Sequence, residues 1–394
     1  MSRLWDKGLP LDERILRYTA GEDHQLDARL VDYDVRASIA HAEMLAATGL
    51  LSEDDCSKIC TGLAELRASF DAGEWQISLD DEDVHTALET RLVAAIGETG
   101  GRLHLGRSRN DQVLTALRLY LREVTQDLGN RIGNLRQSID ALADRHGGLP
   151  LPGYTHMQHA MPSSVALWCG GFAEAFDDAA AGLRAAQRRI NKNPLGSAAG
   201  YGTPGLPLDR ELTTSKLEFD EVQEPVTAAQ LSRGKAEATV LFELTLLTQD
   251  LGRMASDLLL FYTQEFAYIS LATDTTTGSS IMPQKRNPDV LELLRATSAT
   301  VQACMDEALQ ITSKLPSGYQ RDLQRLKAPL FRGIDLSIES VDIMAYVLDG
   351  IEFQAENIVL DPGIHAAEEA NKLVVDEGLP FREAYRRIAA RFTR

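Results

Sequence analysis

The chain has 394 residues, 44% hydrophobic and 25% charged, which excludes disorder and collagen-like repeats and permits a large buried core. Its 40 Lys and Arg against 58 Asp and Glu give a net charge of −18; non-specific binding to phosphate backbones or anionic membranes is disfavoured, and an anionic ligand must be met by local positive groups. Four cysteines do not make a disulfide framework in so long a chain, the first residues lack a signal-peptide apolar stretch, and no run approaches the ~18 apolar residues of a membrane span, so a cytoplasmic protein with no membrane or nucleic-acid partner is expected.

Residues 1–106 carry short helical patterns, among them Ala28 to Gly49 and Ser52 to Gly73. Cys56 and Cys60 lie one helical turn apart and read as buried structural thiols, because no further Cys or His stands at metal-ligand spacing. The acidic run Asp80 to Asp83 suits helix capping better than cation binding.

From Leu114 the apolar residues recur in steps of three or four through Leu117, Leu121, Val124, Leu128, Ile132, Leu135, Ile139 and Leu142. This predicts one helix of about eight turns, near 45 Å long. Val240, Leu244, Leu247, Leu251, Met254, Leu258 and Phe261 repeat the pattern. Ser163 to Ile190, Pro288 to Ile311 and Pro329 to Leu348 complete a set of five long helices, with the two prolines suited to first turns. Between the rods, Gly147 to Pro162, Asn191 to Asp209 and Asp274 to Pro288 read as loops, and no convincing alternating strand is visible. Gly200, Gly202 and Gly205 match GxGxxG, but Pro194 before them and Pro204 within make a flexible loop the better reading. Two further helical patterns follow in residues 350–394. The expected architecture is all-α: an N-terminal helical domain over 1–106, a central long-helix bundle over 107–349 and a C-terminal helical domain over 350–394.

Four polar segments place reactive side chains beside turn formers: Glu82 to His85, Gly106 to Gln112, Gly153 to Gln158 and Gly278 to Pro288. Arg107 and Arg109, at the head of the long helix, offer fork donors for a carboxylate beside a helix N-terminus. In the last segment two serines follow a glycine near Lys285 and Asn287, and a loop rich in N–H donors can hold an anion or stabilise a serine alkoxide. His156 is the candidate proton carrier.

GSSIMPQKRNP at 278–288 resembles the signature of the fumarase/aspartase superfamily, and EDVHTALETRL, GRSRNDQV, PGYTHMQHAMP, NPLGSAAGYGT and LELLR together resemble its argininosuccinate lyase branch. The likeness runs from LWDKG near the start to GLPFREAYRRI near the end. It implies a fumarase-like all-α fold, a homotetramer with active sites shared between subunits, and reversible cleavage of L-argininosuccinate to L-arginine and fumarate through a carbanion, with no metal or organic cofactor. Ser279 corresponds to the general base, Lys285 and Asn287 to groups that hold the carboxylate beside the carbanion, His156 with Thr155 to proton donation or substrate binding, and Glu292 to the carboxylate that orients this histidine across the subunit boundary. His85, Ser108, Arg109, Asn110, Arg233, Tyr319, Gln324 and Lys327 correspond to substrate-binding positions. His159 stands where many members have arginine, Leu105 replaces a small polar residue, and Arg325-Leu-Lys327 replaces a pair of acids before the lysine. The chain ends earlier than typical members, so the C-terminal helical region is expected to be shortened. The alternatives are adenylosuccinate lyase, an aspartase-like ammonia lyase, or a non-catalytic relative of the crystallin type.

Overall fold

The structure is a computed structural model describing residues 12–392, so the LWDKG stretch lies outside the described residues. Helix accounts for 68% of it, which makes the fold all-α. In chain order the helices are α1 (Glu13–Ala20), α2 (Asp23–Leu26), α3 (Val31–Ala47), α4 (Glu53–Asp71), α5 (Val84–Ile96), α6 (Glu98–Gly101), α7 (Arg109–His146), α8 (Val165–Ile190), α9 (Arg210–Lys216), α10 (Val226–Leu231), α11 (Lys235–Phe261), α12 (Asp289–Thr312), α13 (Lys327–Asp349), α14 (Ala366–Glu377) and α15 (Phe381–Ala389). The five expected rods are α7, α8, α11, α12 and α13.

Their boundaries follow local chemistry. Ser52 caps α4 by accepting from the Asp55 N–H at 3.1 Å, and Glu53, Asp54 and Asp55 put negative charge in its first turn. Along α7 the anticipated apolar positions are buried, with Val124 half-buried at the edge of the stripe. The α11 run from Val240 to Phe261 is buried at every anticipated position.

The chain forms two compact units. The first comprises Met1–Gly129, Ala181–Thr245 and Thr300–Leu336, and the second comprises Asn130–Ala180, Leu246–Ala299 and Ser337–Arg394. In the first, Ala37, Ala40, Leu119, Leu195, Leu217 and Phe219 form a core cluster against Tyr33. In the second, Gly378 in the left-handed region ends α14 and turns the chain into α15, whose Ala384 and Ile388 pack on Ala370.

The Gly147 to Pro162 segment differs from its reading as a loop. Strands β1 (Pro150–Thr155) and β2 (Gln158–Ser164) pair antiparallel, with Thr155 opposite Gln158 across a two-residue turn at His156 and Met157. A two-stranded ribbon consists of edges, so Pro150, Pro152 and Pro162 are tolerated in it. Minor pairings join Lys192–Asn193 to Glu221–Val222 in the first unit and Ile269–Ser270 to Glu352–Phe353 in the second. Among the described residues no helix is long and apolar enough to cross a membrane.

Candidate active site

The first unit contains a cavity of about 150 Å³. Arg109, Arg233, Arg321 and Lys327 bring positive charge to its wall, His85, Asn110, Tyr319 and Gln324 bring polar groups, and Asp23 and Asp83 are its carboxylates. Seven of the expected substrate-binding residues thus meet at one place, and Ser108 lies one residue before them in the chain.

Most of these side chains are held by a partner. Asp83 caps α5, accepting from the Thr86 N–H at 2.8 Å, and its Oδ2 receives Arg109 Nη1 at 2.9 Å. His85, in the first turn of α5, pairs through Nδ1 with the buried carboxylate of Asp34. Burial pushes the imidazole's pKa down, but Asp34, with Asp83 and Asp27 nearby, outweighs it and the net shift is upward; the pairing likewise lowers the pKa of Asp34 despite burial. His85 Nε2 is buried without a partner among the described residues.

Lys327, at the start of α13, is almost fully buried between Asp27 Oδ1 at 2.6 Å and Asp23 Oδ2 at 2.8 Å. The two carboxylates raise its pKa in spite of burial. Gln324 donates to the carbonyls of Thr19 and Ala20, and Arg321 to the carbonyl of Thr19, which ties the 321–326 turn to the end of α1. Arg233 sits over the Tyr319 ring at 5.6 Å and donates to the Leu323 carbonyl.

Arg107 turns away from the anticipated fork. It is 7% exposed and donates to Ser38 Oγ at 2.8 Å, a structural bond to α3. Asp111 is fully buried and accepts from the N–H groups of Ser108, Gly196 and Ala198, binding the head of α7 to the 191–209 loop. Sequence reasoning missed Asp23, Asp27 and Asp34 altogether. Their spacing of four and seven was a signal, since it places three carboxylates on one helical face.

The second unit carries the remaining candidates. Thr277 and Asn287 exchange backbone hydrogen bonds, N–H to carbonyl at 3.0 and 2.8 Å, and the Asn287 amide donates to the Gly278 carbonyl at 3.3 Å. These bonds close the 278–286 segment into a loop. Within it Ser279 Oγ accepts from the N–H of Met282 at 3.2 Å and of Ile281 at 3.4 Å. Lys285, Asn287 and Glu292 line one cleft of about 730 Å³ with Tyr262 and Arg295. Thr155 and His156 do not line it; they occupy the exposed tip of the β1–β2 hairpin, where His156 and Met157 take φ of 51° and 59°. Such turns ordinarily use Asn or Gly, so a histidine followed by a methionine holds a costly conformation, which is common at functional sites.

Residues 14–303 match the model of a lyase family. The chain is 45% identical over 390 residues to the argininosuccinate lyase of Sorangium cellulosum, covering 98% of this chain and 90% of that one. It is 40% identical to the argininosuccinate lyase of Thermotoga neapolitana over its whole length and 98% of the relative. Among solved structures, an EDDS lyase in complex with formate superposes with a TM-score of 0.81 at 25% identity, covering 97% of this chain and 76% of that one. The class II fumarase of Schistosoma mansoni does so with 0.79 at 18% identity, covering 98% and 90%, a likeness of fold. Fold and matches together define a lyase of the fumarase/aspartase superfamily. Within that superfamily, the chain belongs to the argininosuccinate lyases.

Proposed function

We propose that this chain cleaves argininosuccinate reversibly to arginine and fumarate, with Ser279 as the base. Removing a carbon-bound proton beside an ionised carboxylate builds a second negative charge, so the barrier falls only where cations and N–H donors already face it. In this reading Lys285 and Asn287 hold that carboxylate. The proton passes from carbon to Ser279, the C–N bond breaks, and the leaving guanidino nitrogen takes a proton from an acid on the opposite side. His156, steadied by Thr155 and by Glu292 of a neighbouring copy, is assigned to that side. His85, Ser108, Arg109, Asn110, Arg233, Tyr319, Gln324 and Lys327 bind the rest of the substrate.

The observation that carries the reading is the pair of backbone N–H groups aimed at Ser279 Oγ. Two such donors favour the alkoxide over the hydroxyl, which is what a serine base requires. Fumarate release, followed by ultraviolet absorbance, is expected from argininosuccinate and not from adenylosuccinate or aspartate. Ser279→Ala is expected to lower turnover about 10²–10⁴-fold while the protein remains folded; near-normal turnover would remove Ser279 from the role, and fumarate from another substrate would overturn the assignment.

The same reading has four copies associating, with sites shared between them, in the cytoplasm. Supporting association are exposed apolar side chains on the rods, Leu167 on α8, Phe242 and Leu246 on α11, Leu293 and Leu309 on α12 and Tyr346 on α13. Four free thiols suit a reducing compartment.

A further inference from the structure

We infer that Asp23 is a specificity-determining residue, whose carboxylate on the cavity wall of the first unit receives a cationic nitrogen from the amino-acid half of the substrate. The inference rests on the argininosuccinate reading and goes beyond the residues assigned there.

Most acids in and behind the wall are already occupied. Asp83 is taken up by the α5 cap and by Arg109. Asp34 is taken up by His85 and Ser38. Asp27 is fully buried, accepts from the Val84 N–H at 3.3 Å and holds Lys327 at 2.6 Å. Asp23 differs from all three. It lines the cavity, is 8% exposed, and among the described residues its one salt bridge is to Lys327, at 2.8 Å, a cation that it must share with Asp27, while Arg233 lies within electrostatic reach without forming a salt bridge to it.

One ammonium between two carboxylates leaves that corner of the wall negative. A buried carboxylate with half a counter-ion is costly, and burial, reinforced by Asp27 and Asp83, pushes its pKa up to about 6 although Lys327 pulls the other way. A succinyl group brings only negative charge and is repelled from such a corner. The arginine half brings both a guanidinium and an α-ammonium, and either completes the missing half of the pair. A cavity with cations on most of its wall and one under-neutralised acid therefore fits a zwitterionic ligand better than a dicarboxylate.

The test compares product inhibition in the wild-type enzyme and in Asp23→Asn, which keeps the shape of the side chain and removes its charge. The inhibition constant for arginine is expected to rise about tenfold or more in the variant, with that for fumarate unchanged within about twofold. Two analogues distinguish the nitrogens: citrulline lacks the guanidinium charge and 5-guanidino-2-hydroxypentanoate lacks the ammonium. The analogue missing the group that meets Asp23 is expected to bind wild type and variant equally. Asp23→Glu, which retains the charge, is expected to keep more of the arginine affinity than Asp23→Asn. Parallel weakening of arginine and fumarate would mean that Asp23 acts only by holding Lys327, and unchanged arginine binding would mean that it meets no cation; either overturns the inference. Failure of the parent reading looks different, since wild-type enzyme would then release no fumarate from argininosuccinate.

Discussion

His41 provides a test of the packing around the site that is independent of catalysis. It lies fully buried on α3, with Nε2 at 2.8 Å from the Leu105 carbonyl. Because a carbonyl only accepts, Nε2 carries the proton and Nδ1 is left as a buried atom without a partner among the described residues. A second proton would place a cation in the interior near Arg107 and His104. Burial first, and the Arg107 charge next, push the pKa down to about 3, against an upward pull from the Leu105 bond. The unfolded chain, with an ordinary imidazole near pH ~6.5, takes up a proton that the folded chain refuses. His41 therefore contributes full stability above about pH 6.5, and this is lost as pH falls toward about 3, at up to ~1.4 kcal/mol per pH unit. Between pH 7 and 5 the loss amounts to about 2 kcal/mol. Other groups titrate over the same range: Asp23, raised to about 6, works in the opposite sense, since the folded state takes its proton first as pH falls. Such contributions cancel in a difference between two proteins. His41→Gln can still donate an amide N–H to Leu105 but does not titrate. Urea unfolding of both proteins at pH 7 and pH 5 is expected to show the difference shifting by about 2 kcal/mol in the variant's favour at the lower pH. Parallel stability curves would refute the reasoning.

Lys327→Met strands Asp23 and Asp27 as buried carboxylates, so a loss of about 3–5 kcal/mol is expected in urea unfolding at pH 7.5, a smaller loss at pH 5, where Asp23 is largely protonated but Asp27 still loses its partner, and argininosuccinate cleavage should fall at both. Met157→Gly relieves a left-handed backbone at an exposed turn position and is expected to leave stability unchanged or raise it by about 1 kcal/mol, measured as a melting temperature; a clear loss would mean that the Met157 side chain holds the turn. Sedimentation should find a particle four times the 43.3 kDa chain, with specific activity falling once dilution dissociates it. Full activity in a monomer would refute the shared site.

What was legible in the sequence divides along physical lines. The stripe on α7 and the run on α11 were readable because a 3.6-residue period is a local signal that burial then reinforces. The four polar segments were readable because turn formers and reactive side chains seldom coincide without reason. The hairpin at 150–164 was not readable, since three prolines argued against strands and His156-Met157 lacks the residues that ordinarily mark a tight turn. Arg107 and Arg109 look alike in the sequence, yet one ends on Ser38 in the interior and the other on Asp83 at the cavity wall. Which way a side chain points at the head of a helix depends on long-range packing, and so does the fate of Asp23, Asp27 and Asp34. Charged residues are expected outside; these lie inside because Lys327, roughly 300 positions away in sequence, meets two of them and His85 meets the third.

The two candidate regions also differ in how ready they are for ionic chemistry. In the first unit His85 and Lys327 are buried and paired with Asp34, Asp27 and Asp23, so a ligand meets groups already held in place. In the second, Lys285 and Glu292 are exposed. In water a unit charge at 4 Å is worth about 1 kcal/mol, against about 4 kcal/mol at the effective dielectric near a protein surface, so a solvated lysine does little for a forming carbanion. Water must therefore be displaced from the Gly278 to Pro288 loop before the step becomes feasible. The loop carries side chains suited to that. Ile281, 82% exposed, and Met282 present apolar surface immediately after the serines, and their own N–H groups face Ser279 Oγ. Covering them by substrate and by a neighbouring copy would dry the loop without disturbing the donors, which is the physical reason the chemistry proposed here and the proposed association stand or fall together.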